Sequence, residues 1–230
     1  MEWYEELDFD ENPFTLETKY VGNDDVLEEA FYSVVAGSIL IVEGDDGSGK
    51  TKLLKEVARR FGGHGKVAFV DAKALERELN IEDIIAKKNG LLGYVFKKYP
   101  KGMILLLDNV EHLSQKNLER IKYFFDRNHL RAVVIATKDY TKLNFPESLQ
   151  QRVWKHIRLK SLTEYEAVQV FRDKVGAEIL SDRVIKETYR QSEKNLRRFF
   201  VNSERVCKAY LANKNLTEDD VKNMLAREAT

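Results

Sequence analysis

The sequence predicts an α/β fold, a parallel sheet flanked by helices, with a small all-helical domain at its C-terminal end. Three observations carry that prediction. Between Ser38 and Lys160, short apolar runs rich in Val, Ile and Leu alternate with longer stretches of helical spacing. The first run closes in a glycine-rich loop, GDDGSGKT. Beyond Lys160 the strand texture stops. Strands alternating with helices imply right-handed crossovers and a parallel sheet.

The start, MEWYEELDFDENPF, is acidic and aromatic, without the basic region and apolar run of a secretory signal. Trp3, Tyr4, Leu7, Phe9 and Phe14 form a cluster that needs a partner surface, the chain's own core in the favoured reading or a neighbouring copy in the other. The strand candidates are SILIVEG (38–44), KVAFVDA (66–72), GMILLLD (102–108), RAVVIAT (131–137) and WKHIRLK (154–160). The first four lack strict apolar/polar alternation, as expected of strands covered on both faces. Between them TKLLKEVARRF, IEDIIAKKNGLLGYVFKKY and LSQKNLERIKYFFDRN repeat apolar residues at three and four, the helical period. After Lys160 come four helical stretches beginning at Thr163, Ser181, Glu193 and Thr217, with Thr163, Ser181 and Thr217 as N-caps and Gly176 as a stop. The expected division is an acidic, aromatic segment over 1–20, an α/β domain over 21–160 and a helical domain over 161–230.

A lone cysteine, Cys207, excludes an internal disulfide framework and a cysteine-based zinc site. No apolar run approaches the ~18 residues of a membrane span, so no membrane insertion is expected and the cytoplasm is the expected location. The formal net charge is zero, but residues 1–30 hold 11 acids and 1 base while 31–160 hold 15 acids and 24 bases. A basic middle that includes Lys87, Lys88, Lys97, Lys98 and Lys101 is either a solvated face or a surface for phosphates, so DNA is one candidate partner.

Gly44, Asp45, Asp46, Gly47, Ser48, Gly49, Lys50 and Thr51 fit the P-loop spacing Gly-x4-Gly-Lys-Ser/Thr. In such a loop the glycines let backbone N–H groups approach phosphate oxygens, the lysine reaches the β and γ phosphates and the threonine ligates magnesium. The next helix aims its positive end at the same anion. The expected cofactors are therefore ATP and Mg2+. LLLD ends in Asp108, whose strand is expected to run beside the phosphate loop and whose carboxylate is expected to hold magnesium. Thr137 ends the fourth run, where a hydroxyl either senses the γ-phosphate or satisfies a local turn.

Together these residues resemble the AAA+ ATPases over nearly the whole chain. The segment YVGNDDVLEEAFYSVVAG resembles the family's leading turn and helix, which implies adenine packing near Val21 and Gly22. PESLQQRVWKHIRLK resembles the stretch that carries the arginine finger, making Arg152 the candidate finger. KNLRRFF resembles the start of a lid helix with an arginine aimed at nucleotide, here Arg197. Within the class the sequence is similar to the archaeal origin-recognition initiators and to the TniB-type and ExeA-type ATPases, the last two through Asn12, Pro13 and Phe14 and the pair Gln151–Arg152. A finger supplied in trans implies self-assembly.

These families usually place Asp-Glu where this chain has Asp108-Asn109-Val110-Glu111. An amide orients water but takes no proton at neutral pH, so ATP hydrolysis is expected to be slow unless Glu111 or Asp71 serves as base. The DN-x-EHL form also resembles the STAND signalling ATPases. Two functions are thus open: an AAA+ ATPase using lid and subunit rearrangement to act on a nucleic-acid or protein partner, or a non-catalytic, ATP-stabilised adaptor or switch.

Overall fold

The computed structural model describes residues 2–62, 66–74, 80–88, 90, 98–111, 113–176 and 179–226. Five parallel strands form one sheet: β1 Ile39–Glu43, β2 Val67–Asp71, β3 Met103–Asp108, β4 Leu130–Thr137 and β5 Val153–Arg158. Their spatial order is β2-β3-β4-β1-β5. β4 therefore separates β1 from β3, while Asp108 at the end of β3 still reaches the Thr51 hydroxyl that closes the Gly44–Thr51 loop. Spatial order depends on non-local pairing, which the local texture of a strand does not encode.

Burial explains the strand textures. β3 is buried throughout and β1 in all but its last residue, whereas β5, at the sheet edge, shows four exposed positions out of six. The helices of this unit are α1 Asp24–Ala36, α2 Lys50–Phe61, α3 Ile81–Lys87, α4 Gln115–Asp126 and the single turn α5 Glu147–Gln150. Of the helical stretch expected over 81–99, α3 covers Ile81–Lys87, and 89 and 91–97, with Lys97 of the basic series, lie outside the described residues. The core of the sheet unit joins Ile39 and Ile41 of β1 to Leu105 and Leu107 of β3, Ile135 of β4 and Leu118 and Ile121 of α4.

The helices after Lys160 are α6 Glu164–Val175, α7 Asp182–Gln191, α8 Leu196–Ala212 and α9 Glu218–Ala226. Thr163 and Glu166 form a reciprocal capping box, Ser181 caps α7 through Val184 N–H, and Thr217 exchanges hydrogen bonds with Asp220. α8 starts later than its pattern implied. Glu193 and Lys194 both take left-handed φ values, 53° and 57°, and Asn195 caps the helix by accepting from the N–H groups of Arg197 and Arg198.

Two compact units result, residues 24–159 and residues 1–23 with 160–230. The expected separate segment over 1–20 is instead part of the helical unit, and residues 21–23 go with it. Trp3 is buried among Phe171, Phe199 and Val206, with Tyr4, Leu7, Phe9 and Phe14 packed around that core. Trp3 stacks on Phe14 at 5.9 Å, and Lys174 Nζ donates to the carbonyls of Pro13 (2.9 Å) and Leu16 (2.6 Å). Apolar surface and backbone satisfaction together hold the segment down. Among the described residues no helix is long and apolar enough to cross a membrane.

Candidate functional site

The C-terminal edge of the sheet gathers most of the chemistry-bearing residues. β1 ends at Glu43, and Gly44 N–H donates to the Thr137 carbonyl at 3.1 Å, extending the β1–β4 ladder by one bond. The chain then turns tightly, with Ser48 N–H bonded to the Asp45 carbonyl at 3.2 Å. Gly47 and Gly49 stand at φ 76° and 99°, conformations that cost other residues strain. A Cβ on Gly44 would lie 2.6 Å from Ser48 Oγ, so a larger residue there would force the serine side chain to move.

Lys50 opens α2 and folds back over its own loop. Its ammonium donates to the carbonyls of Gly44 at 2.6 Å and Asp45 at 2.9 Å, and the residue is 6% exposed. Burial lowers its pKa, opposed by the charges of Asp46, Asp108, Glu111 and Asp45. Glu111 is thus within electrostatic reach of the loop lysine.

Asp108 ends β3 fully buried. One carboxylate oxygen accepts from Asn109 N–H at 2.9 Å, while Oδ2 is buried with no partner among the described residues. Burial raises its pKa, with the Asp71 charge acting the same way, against the Thr51 hydroxyl, the Asn109 N–H and Lys50. An orphaned buried carboxylate oxygen close to a threonine hydroxyl is an oxygen-only donor set, which fits Mg2+, an ion that takes one or two protein oxygens and completes its shell with water and phosphate.

Asp71 and Asp108 are direct register partners at the ends of β2 and β3. Asn109 bridges them: at a left-handed φ of 53°, its amide donates to Asp71 Oδ1 at 2.9 Å, and the same oxygen accepts from Lys73 N–H at 3.0 Å. Thr137 is buried and its hydroxyl lies 3.3 Å from both the N–H and the carbonyl of Asp139, the local-turn arrangement.

Asp45 and Asp46 put two negative charges in this loop, and cations from neighbouring strand ends balance them. Lys138 Nζ lies 3.2 Å from Asp46 and, foremost among its influences, holds that carboxyl below its ordinary range. Arg158 lies 3.9 Å from both Asp45 and Glu43. Sequence reasoning missed both residues. The signal was present: Lys138 directly follows Thr137, and Arg158 ends the fifth run.

Arg152 stands elsewhere. It precedes β5, at the N-terminal edge of the sheet, one strand length or roughly 16 Å from the loop. Asp126 grips it in a two-point bond of 2.6 and 3.0 Å, and its remaining amino group donates to the Ser148 carbonyl. Arg152 in turn is the main reason that Asp126 titrates low.

Val21, Gly22 and Arg197 belong to the helical unit. Val21 packs on its core. Gly22 has φ 73°, and a Cβ there would meet Leu162 Cδ2 at 2.5 Å and Glu166 Oε1 at 2.9 Å. Arg197 is exposed in the first turn of α8.

No protein-family model matches the chain. An uncharacterised ABC transporter ATP-binding protein of Methanocaldococcus jannaschii is 23% identical over 145 residues, covering 55% of this chain and 55% of the relative. The chain thus spans about half the length of that curated relative. Among solved structures, the Thermotoga maritima RuvB Holliday junction branch migration motor superposes with a TM-score of 0.65 at 15% identity, over 93% of this chain and 72% of RuvB. Aeropyrum pernix Orc1, solved in complex with DNA, gives 0.69 at 14% identity, over 92% of this chain and 66% of Orc1. Pyrobaculum aerophilum Cdc6p gives 0.66 at 14%, over 90% and 67%. The five-stranded parallel sheet, its flanking helices and the helices that follow are therefore the fold that RuvB and Orc1 have in the superposed regions.

Proposed function

We propose that this chain binds Mg-ATP at the Gly44–Thr51 loop and hydrolyses it slowly. The observation that carries the reading is the buried, partnerless Oδ2 of Asp108, set beside a loop whose glycines take left-handed turns. The backbone of Asp45, Asp46, Gly47, Ser48 and Gly49 would cradle the phosphates, and Lys50 would exchange its two carbonyl partners for phosphate oxygens. Thr51 and Asp108 would hold Mg2+, which when bound neutralises charge on the phosphoryl oxygens. Asn109, tied to Asp71, can orient water but not deprotonate it, so Glu111 and Asp71 are the carboxylates left to act as base. In this reading Thr137 reports on the γ-phosphate by leaving its local turn.

Arg152 lies too far from its own loop to act there, so its role as a finger requires a neighbouring copy and release from Asp126. Val21 and Gly22 are the proposed adenine contacts and Arg197 the proposed arginine of the helical unit. Action in the cytoplasm, on a nucleic-acid or protein partner, completes the proposal.

A second reading, an ATP-stabilised adaptor or STAND-like switch, is favoured by the occupied amide of Asn109. Two measurements separate them. Mg-ATP should raise the melting temperature of the wild type and not of Lys50→Ala, as binding to the folded form requires. Phosphate release above the Lys50→Ala background supports the ATPase; stabilisation without turnover supports the adaptor. Equal melting with and without Mg-ATP would reject both.

A further inference from the structure

We infer that the N-terminal edge of the sheet is a binding surface for single-stranded nucleic acid. The inference goes beyond the nucleotide reading and rests on residues at the opposite edge of the sheet from the phosphate loop.

In a parallel sheet every strand starts at the same edge, so residues just before or at the strand starts share one rim. Here that rim carries both rings and cations. Tyr32 of α1 is 59% exposed and Trp154 of β5 is 40% exposed, and their rings lie 5.0 Å apart at a tilt of 44°, forming a surface aromatic pair. Lys155 Nζ sits 5.6 Å over the Trp154 ring and pairs with Glu29 at 2.7 Å. One turn further along α1, the Val35 carbonyl accepts from Arg131 Nη2 at 2.6 Å, with Val35 itself 58% exposed. Next to it opens a cavity of about 530 Å³ whose walls include Ala36, Gly37, Lys101 and Arg131. Aromatic faces beside a cationic hollow are what a single strand needs: bases stack on the rings whatever their sequence, and phosphates follow the cations. A duplex keeps its bases stacked inside and would leave Tyr32 and Trp154 unused. Of the acids near this surface, Glu29 pairs with Lys155 and Asp126 with Arg152 and Lys122, while Glu28, one turn before Tyr32 on α1, is exposed and bounds the strand's path on that side.

The test is anisotropy of labelled oligodeoxythymidine and oligouridine of about 15 nucleotides, the upper range for one small domain, with the full chain and no nucleotide. Binding of at least one strand at low ionic strength is expected, weakening with added salt. Trp154→Ala and Tyr32→Ala should each weaken it by roughly tenfold or more, and Trp154→Phe should retain most of it. Lys101→Gln should weaken binding modestly and reduce the salt slope by about 0.7. Melting curves of each variant show that the fold is intact. No binding to either strand at low salt, tighter binding to duplex, or affinity unmoved by both aromatic substitutions would overturn the assignment. So would a concentration-dependent dimer that Trp154→Ala abolishes, since the aromatic pair would then be a contact between copies. Any of these failures leaves the Mg-ATP melting shift unaffected, so the two readings fail separately.

Discussion

The amide of Asn109 donates to the carboxylate of Asp71 across 2.9 Å, joining the ends of two neighbouring strands. This bond sets the position of the side chain that follows Asp108. A glutamate at 109 would lose the donor and face Asp71 as a like charge, in a left-handed backbone that costs a non-glycine residue about 1 kcal/mol or more. Asn109→Glu alone should therefore lower stability and accelerate ATP hydrolysis only weakly. The exchanged pair, Asp71→Asn with Asn109→Glu, restores a donor–acceptor bond and adds a base. It should hydrolyse ATP about 10²- to 10⁴-fold faster than wild type, the usual worth of a positioned base. Phosphate release and melting curves check both; equal rates in the single and double variants would show that Asp71 does not govern residue 109.

Asp108 is more stable protonated than an ordinary aspartate because burial penalises its charge. A folded carboxyl with a raised pKa binds its proton more tightly than the unfolded one. Its contribution therefore falls as pH rises from 3.8, the ordinary value, through the raised one, and is a cost at neutral pH. Asp108→Asn should stabilise the nucleotide-free protein at neutral pH and raise its melting temperature. The same variant should lose the magnesium dependence of nucleotide binding. A lower melting temperature at pH 7 would contradict this.

Asp126 holds Arg152 in the conformation described above. The pair is partly solvated, so Arg152→Ala should cost no more than about 1 kcal/mol. Asp126→Asn frees the arginine without removing it. If Arg152 serves a neighbouring copy, Asp126→Asn should increase ATP turnover at high protein concentration and have no effect at high dilution, whereas Arg152→Ala should depress turnover at high concentration.

Trp3 is 8% exposed and packs with Phe14, Phe171 and Phe199. Removing a buried aromatic of this kind costs roughly 3–5 kcal/mol. Trp3→Ala should lower the denaturation midpoint accordingly; a shift below 1 kcal/mol would show that the N-terminal segment is only loosely docked.

The strands were legible because burial on both faces demands unbroken apolar runs: Met103–Asp108 and Ile39–Glu43 read as strands directly. The turn at Gly47 and Gly49 was legible because only glycine relieves its backbone strain. The strand order was not, since it depends on β3 choosing β4 as neighbour over β1. Nor was the bond from Asn109 to Asp71, which joins residues 38 apart in sequence. The start of α8 is not legible either, because the left-handed pair Glu193–Lys194 carries no glycine to announce it. Lys138 went unnoticed because a lysine after a strand is ordinary until the loop acids it faces are located.

The helical unit is assembled from both sides of the sheet unit in sequence, and its bonds span most of the chain: Asn12 to Glu204 covers 192 residues and Lys174 to Pro13 covers 161. Synthesis at about 5–20 residues per second delivers these partners seconds apart. The sheet unit can close as soon as β5 emerges, while Trp3 and Phe14 wait for α6 and α8. During that interval the aromatic side chains of the segment from Trp3 to Phe14 have no core to pack on. The acids around them, Glu2, Glu5, Glu6, Asp8, Asp10 and Glu11, would then repel the same segment of other chains, a charge screen against premature aggregation that becomes redundant once α6 and α8 cover the rings.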